Sequence, residues 1–200
     1  MNNATLRSRW DSHDRALRHL PSPVSVLTVV SEGRRHGTTV STVVRISHRP
    51  HVLSVSLKTG SLLSELAVTE GRFAINVLSA GQSGLARKFA RSRRPKGNAQ
   101  FEGVPWHPSP YSGAPLFPDT LAFYDCRVLG RFPVGDHEVL VGAVVQADCA
   151  GGDPLISRTG ELFAGPLIPV ERDGVPPAVH PSVLVAGRKS APLAKENVPS

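Results

Sequence analysis

The sequence predicts an all-β class, a β-rich α+β chain folded as a closed antiparallel barrel with short helices at its rim. Three observations lead there. Runs of β-branched residues outnumber runs with helical spacing, turn residues separate those runs, and the helices are too few to cover both faces of a parallel sheet. Closure removes the exposed edges that an open sheet would present.

The elements follow in order. Trp10, His13, Leu17 and Leu20 recur at three- and four-residue steps, Asp11 and Ser12 cap the start and Pro21 ends it, which predicts a short helix. Val24 to Val30 is β-branched and closes at a Glu32-Gly33 turn. Thr38 to Val44 and Val52 to Leu57 repeat that character across the Pro50 break. Ser61 to Val68 switches to helical spacing through Leu62, Leu63 and Leu66, and Arg72 to Leu78 returns to strand. Leu85 and Phe89 mark a second short helix. Residues 91–118, rich in proline and glycine, read as a long loop, and strands follow at Leu121 to Leu129, Glu138 to Gln146 and near Glu161 to Phe163.

Two hundred residues with 40% hydrophobic content make one ordinary domain that buries a core without disulfides. The expected division is an extension over 1–13 leading into the first helix, the barrel over 14–164, and a Pro-rich, mostly disordered tail over 165–200. Cys126 and Cys149 stand alone and read as core thiols of a reducing compartment. The first twenty residues carry no apolar signal region, and no run approaches the roughly 20 apolar residues that span a bilayer, so the expected location is cytoplasmic, with no membrane partner.

The formal charge is +7, and Arg87, Lys88, Arg91, Arg93, Arg94 and Lys96 place six cations within one ten-residue run. The basicity is one local patch, unlike a surface that tracks nucleic acid, and it lacks aromatics beyond Phe89. It reads as a solvated loop or as a contact for an anionic ligand. No Walker loop, GxGxxG or HExxH occurs, and His48 and His51 flank Pro50 without acidic or thiol companions, so no metal site is expected.

Four segments, in this order, carry a resemblance. They are Gly37-Thr38-Thr39-Val40-Ser41-Thr42-Val43-Val44-Arg45-Ile46-Ser47; Arg72-Phe73-Ala74-Ile75-Asn76-Val77-Leu78 with Leu85-Ala86-Arg87-Lys88-Phe89-Ala90; Phe101-Glu102-Gly103-Val104-Pro105-Trp106 with Gly113-Ala114-Pro115-Leu116; and Gly135-Asp136-His137 before a strand ending near Gly142. From about Asp14 to Phe163 the chain resembles the short-chain flavin reductases, the reductase partners of two-component flavin monooxygenases. The resemblance implies an antiparallel Greek-key split β-barrel with short peripheral helices. It implies binding of FMN (or FAD), hydride transfer from NADH or NADPH, a homodimer with the flavin at the interface, and transient service to a reduced-flavin-dependent monooxygenase.

Hydride transfer to a flavin asks the protein for stacking and positioning more than for an acid or nucleophile. On the resemblance, Thr39, Val40, Ser41 and Thr42 form a small-residue turn whose amides reach the flavin edge. Ser56, Leu57, Lys58 and Ser61 serve the phosphate ahead of a helix start. Asn76 reads ring oxygens, Arg87 and Phe89 belong to the cofactor site, and His137 is the nicotinamide-side catalytic histidine. Arg45 stands where the family usually carries a small hydroxyl residue; it either pairs with the phosphate or blocks the ring. Pro23, Arg49, Leu62 and Leu63 are further departures. They keep open an alternative: a repurposed barrel that binds flavin or another cofactor without reductase activity.

Overall fold

The computed structural model describes residues 11–169. A helix over 11–17 (α1) opens it. β1 (Ser22–Pro23), β2 (Ser25–Ser31), β3 (Arg34–Val40), β4 (Val44–His48) and β5 (His51–Lys58) lead to α2 (Leu62–Glu70) and β6 (Arg72–Val77). After α3 (Ser83–Ala90) come β7 (His107–Pro108), β8 (Pro115–Leu116) and two long strands, β9 (Ala122–Val134) and β10 (His137–Cys149). β11 (Leu155–Arg158) and β12 (Glu161–Ala164) form a final hairpin. Seven strands make one antiparallel sheet in the order β3-β2-β6-β9-β10-β5-β4, which is the β-rich barrel architecture expected.

One core packs Leu27, Val29, Val55, Phe73, Ile75 and Leu140 of the sheet against Leu63 and Ala67 of α2. Leu63, a departure from the family pattern, is thus a packing residue. A second core joins Val24, Leu78, Phe89, Phe101, Phe117 and Leu155, with ring centroids 5.1 Å apart for Phe89–Phe101 and 5.5 Å for Phe89–Phe117. Each such buried side chain contributes about 1.5–3 kcal/mol. Gly37 lets this cluster reach the sheet, since a Cβ there would lie 2.8 Å from the Phe89 ring.

β3 and β4 end the sheet order, and past the end of β4 the β3 edge comes up to β5 without a ladder between them. Thr42, between β3 and β4, bridges the gap: its Oγ1 donates to the Ser56 carbonyl at 2.8 Å and accepts the Ser56 N–H at 3.1 Å. The first half of the β3 edge is covered differently. A 3-10 turn, Gly97–Phe101, presents side-chain amides to it. The Arg35 N–H donates to Asn98 Oδ1 at 2.9 Å and the Gly37 N–H to Gln100 Oε1 at 3.0 Å. Backbone N–H groups alternate along a strand, so the next one facing this edge belongs to Thr39, past the reach of the turn.

Several boundaries differ from expectation. The predicted strand 38–44 breaks at 41–43, where the chain crosses from one sheet edge to the other, and β3 starts earlier, at Arg34. The loop 91–118 holds the 3-10 turn and the β7–β8 pair. β11 was not anticipated. Cys126 is buried as expected, whereas Cys149 is exposed at the end of β10, where the strand leaves the core. Residues 1–10 of the expected extension and 170–200 of the expected tail lie outside the described residues.

The Gln100 amide also sets a proton. Its Oε1 accepts from Gly37, so its Nε2 donates to His36 Nδ1 at 2.9 Å, and neutral His36 carries its proton on Nε2. Burial, with Arg94 nearby, pushes the His36 pKa down to about 4. A depressed imidazole stabilises the fold fully above its unfolded value near 6.5 and loses that contribution as pH falls towards about 4. Unfolding free energy is expected to fall over that window by about 2 kcal/mol from this group, after allowance for solvent screening. Denaturation at pH 7 and pH 4.5 checks it: His36→Gln should show the shallower pH slope.

Candidate functional site

A cleft of about 490 Å³ opens where the β3 edge comes up to β5. Residues Thr38, Thr39, Val40, Ser41 and Thr42 line one side; Ser56, Leu57 and Lys58 line another. His137 closes one end, and Val24, Ala90, Ser157 and Leu162 complete the wall. Eight residues singled out in the sequence therefore meet here: Thr39, Val40, Ser41, Thr42, Ser56, Leu57, Lys58 and His137. Sheet register does the gathering, because β5 and β10 run antiparallel with His137 opposite Lys58 and Val139 opposite Ser56.

The hydroxyls are not all free. Thr39 Oγ1 donates to the Ala86 carbonyl at 2.7 Å, tying β3 to α3, and the Thr42 hydroxyl spans the seam to Ser56. What Thr39 offers the cleft is its edge N–H. The Ser41 hydroxyl has no partner among the described residues. Lys58 supplies a cation.

His137 begins β10 and is part-exposed. Asp136 Oδ1 lies 2.8 Å from its Nδ1, and that hydrogen bond holds the Asp136 carboxyl below the ordinary carboxylate range. An ionised carboxylate only accepts, so Nδ1–H is the donor and Nε2 is left to act at the cleft. The Asp136 carbonyl accepts the Thr59 N–H at 3.1 Å, which fastens the β9–β10 turn to the chain after Lys58.

Five expectations need correction or relocation. Asn76 reads no ligand: it is fully buried, its Nδ2 donates to the carbonyls of Val26 and Pro115, both at 3.2 Å, and its Oδ1 accepts the Phe117 N–H at 2.9 Å. It clamps β2 and β6 to the 115–117 segment. Phe89 is fully buried in the aromatic core, because the amphipathic α3 turns Phe89 and Ala86 inward and Arg87 outward. Arg87 lines an adjoining cleft that shares Thr39, Ala90 and Leu162 with the first. Ser61 lies off the cleft wall, and two amides of the turn before α2 are already spent, Thr59 on Asp136 and Ser61 on the Lys58 carbonyl. Arg45 sits exposed on edge strand β4 opposite Leu53 and lines no part of the cleft, so it neither plugs the slot nor forms its wall.

Sequence reading missed Ser157 and Leu162. The signal was an apolar pair, Leu155-Ile156, before a Thr159-Gly160 turn; β11 then pairs with β1 through Ser22 and Ser157, bringing the hairpin to the cleft.

Comparison with known proteins gives a consistent result. A family model described as flavin reductase like domain matches residues 17–165. The chain is 39% identical over 161 residues to an NADPH-flavin oxidoreductase of Streptomyces viridifaciens, covering 78% of this chain and 82% of that protein. It is 36% identical to the NADH-dependent FMN reductase AsuE2 of Streptomyces nodosus subsp. asukaensis, covering 73% and 80%. Among solved structures, the NADH:FAD oxidoreductase SgcE6 of Streptomyces globisporus C-1027 superposes with a TM-score of 0.73 at 26% identity, covering 79% and 94%. BorF, the flavin reductase component of a bacterial two-component tryptophan halogenase, superposes at 0.72 with 25% identity, covering 77% and 96%.

Removing the Asn76 side chain leaves the buried Phe117 N–H without a partner, at a cost of about 1–3 kcal/mol, and the Pro115 carbonyl with the Thr28 hydroxyl alone. Asn76→Ala should therefore lose about 2–4 kcal/mol of unfolding free energy in urea titration. Its soluble folded fraction should still bind flavin, which a direct ligand role for Asn76 would not allow.

Proposed function

We propose that this chain, which belongs to the flavin reductase like domain family, is an NAD(P)H-dependent flavin reductase that supplies reduced flavin to a separate monooxygenase. The observation that carries the reading is the cleft at the sheet seam: an unpaired strand edge with its Thr39 N–H, the Ser41 hydroxyl, the Lys58 ammonium and an oriented imidazole at His137. That donor set fits a flavin, whose ring edge accepts hydrogen bonds and whose phosphate needs a cation.

In this reading the 39–42 edge and the apolar walls of Val40 and Leu57 hold the ring of FMN or FAD, and Lys58 holds the phosphate. The bound flavin supplies a two-electron acceptor for the hydride of NADH or NADPH. The protein contributes placement and the exclusion of water between two flat rings. His137 Nε2 takes or gives a proton at the cleft, and Asp136 fixes its tautomer. Arg87, beside the cleft, meets the anionic part of the nicotinamide cofactor. The Arg45 part of the motive for a repurposed barrel falls away, since Arg45 lines no part of the cleft.

The same reading makes the chain a homodimer with flavin at the interface. The outward face of β10, β5 and β9 carries Val139 opposite Ser56 and Phe132, and Val141 opposite Ser54 and Gly130. Phe132 and Val134 are 57% and 60% exposed, an apolar strip beside Lys58 and His137. A second copy covering that strip would also cover the cleft. The chain is read as cytoplasmic, where reduced nicotinamide is made, and among the described residues no helix is long and apolar enough to cross a membrane.

Anaerobic NADH or NADPH added to protein with FMN should bleach the flavin absorbance, and no flavin-dependent oxidation with either donor would end the proposal. Lys58→Ala should weaken FMN about tenfold or more while leaving riboflavin nearly unchanged. Equal losses would remove the phosphate role. For the dimer, sedimentation of Phe132→Glu should show a monomer with weakened FMN binding; a variant that stays dimeric with full affinity would contradict the interface.

A further inference from the structure

A second cleft of about 490 Å³ lies farther along β3, at the end away from His137. Its walls are 31–36 of β2, the turn and β3; Leu62 and Leu66 of α2; and 96–98 ahead of the 3-10 turn. Arg34, Arg35 and Lys96 line it against a single acid, Glu32, so the charge on its wall is net positive. Arg35 is further held over the Trp106 ring, 4.3 Å from its centroid.

The decisive group is His36. It is buried to 8% exposure yet lines this cleft, and its Nδ1 is occupied by the Gln100 amide. Nε2 then bears the proton and has no hydrogen-bond partner among the described residues. That N–H is open to the cleft, so a ligand acceptor can reach it without displacing a protein partner. Asn98, whose Oδ1 is spent on the Arg35 N–H, directs the same loop against the cleft. The wall therefore offers a fixed imidazole donor flanked by guanidinium and ammonium groups.

We propose that this cleft is a second anion site, taking the phosphate group of a phosphate ester on His36 Nε2–H, Arg34 and Lys96. It does not depend on the reductase reading. Phosphate matches the donors: several acceptor oxygens meet one neutral N–H and two charged donors. Leu62, 44% exposed, and Leu66 give the organic part of the ester an apolar wall. The phosphate belongs either to a free phosphorylated small molecule or to the 2′-phosphate at the adenosine end of an NADPH held in the first cleft. Both clefts share β3 as one wall, and the chain from Lys58 to Leu62 joins their other walls.

The test uses the full chain labelled with 15N at histidine. Titration with inorganic phosphate, against sodium chloride of equal ionic strength, should shift the His36 Nε2 resonance saturably. Arg34→Ala with Lys96→Ala, both at exposed positions, should weaken that response at least about tenfold. Lys58→Ala should leave it intact. An Nε2 signal that phosphate does not move, or that moves equally in the double variant, overturns the site. Comparison of NADPH with NADH then assigns the source. If the double variant loses NADPH affinity and keeps NADH affinity, the ester is the dinucleotide's; if both are kept while phosphate is lost, it is a free ligand.

Discussion

The sheet stops one ladder short of closure, and the rest of the molecule is arranged around that unpaired seam. β3 and β4 are the two ends of the strand order, and the Thr42 hydroxyl, bonded to both backbone groups of Ser56, ties the end of β3 to β5 where no ladder does. A side-chain bridge satisfies the local backbone while leaving the neighbouring edge open. Edges are ordinarily a liability. Here the 97–101 turn covers one stretch with Asn98 and Gln100, and the stretch from Thr39 onward borders the cleft.

Much of the polar chemistry in the interior is devoted to holding loops against the barrel. Asn76 joins β2, β6 and the 115–117 segment, and Thr28 adds a bond to the Pro115 carbonyl at 2.7 Å. Asp125, fully buried, accepts the Ser109 hydroxyl and the N–H groups of Tyr111 and Ser112 through one oxygen. Beside it, burial and the Asp125 charge push the Cys126 thiol up to about 12, so that sulfur is inert packing. These clamps explain why a long proline- and glycine-rich segment is ordered: its backbone is paired to the barrel rather than to water. They also explain why a buried asparagine inside a family motif is so easily mistaken for a ligand.

The elements were largely legible. β-branched runs and their turns located β2, β5, β6, β9 and β10, because strands that bury one or both faces carry apolar, β-branched residues between turn signals. The helices showed through Leu63 and Phe89, which they bury. The hairpin of β11 and β12 was half missed because Ile156 and Ser157 are only partly buried, and their partner β1 is two residues long. The cleft residues of 39–42 and 56–58 were legible through the resemblance. Their joint placement depended on a crossing near Val43 that has no strong local signal.

The amino-acid order alone determined the fold class, the succession of strands and helices, the family resemblance and the pool of candidate residues, since these follow from periodicity, turn chemistry and motif spacing. Tertiary structure decided which candidates face a ligand. Arg45 and Asn76 differ from Lys58 and His137 in register and partners, and register is a property of paired strands. The proton on His36 was likewise beyond local reading. It is set by Gln100, sixty-four residues away, whose own orientation is fixed by the Gly37 N–H.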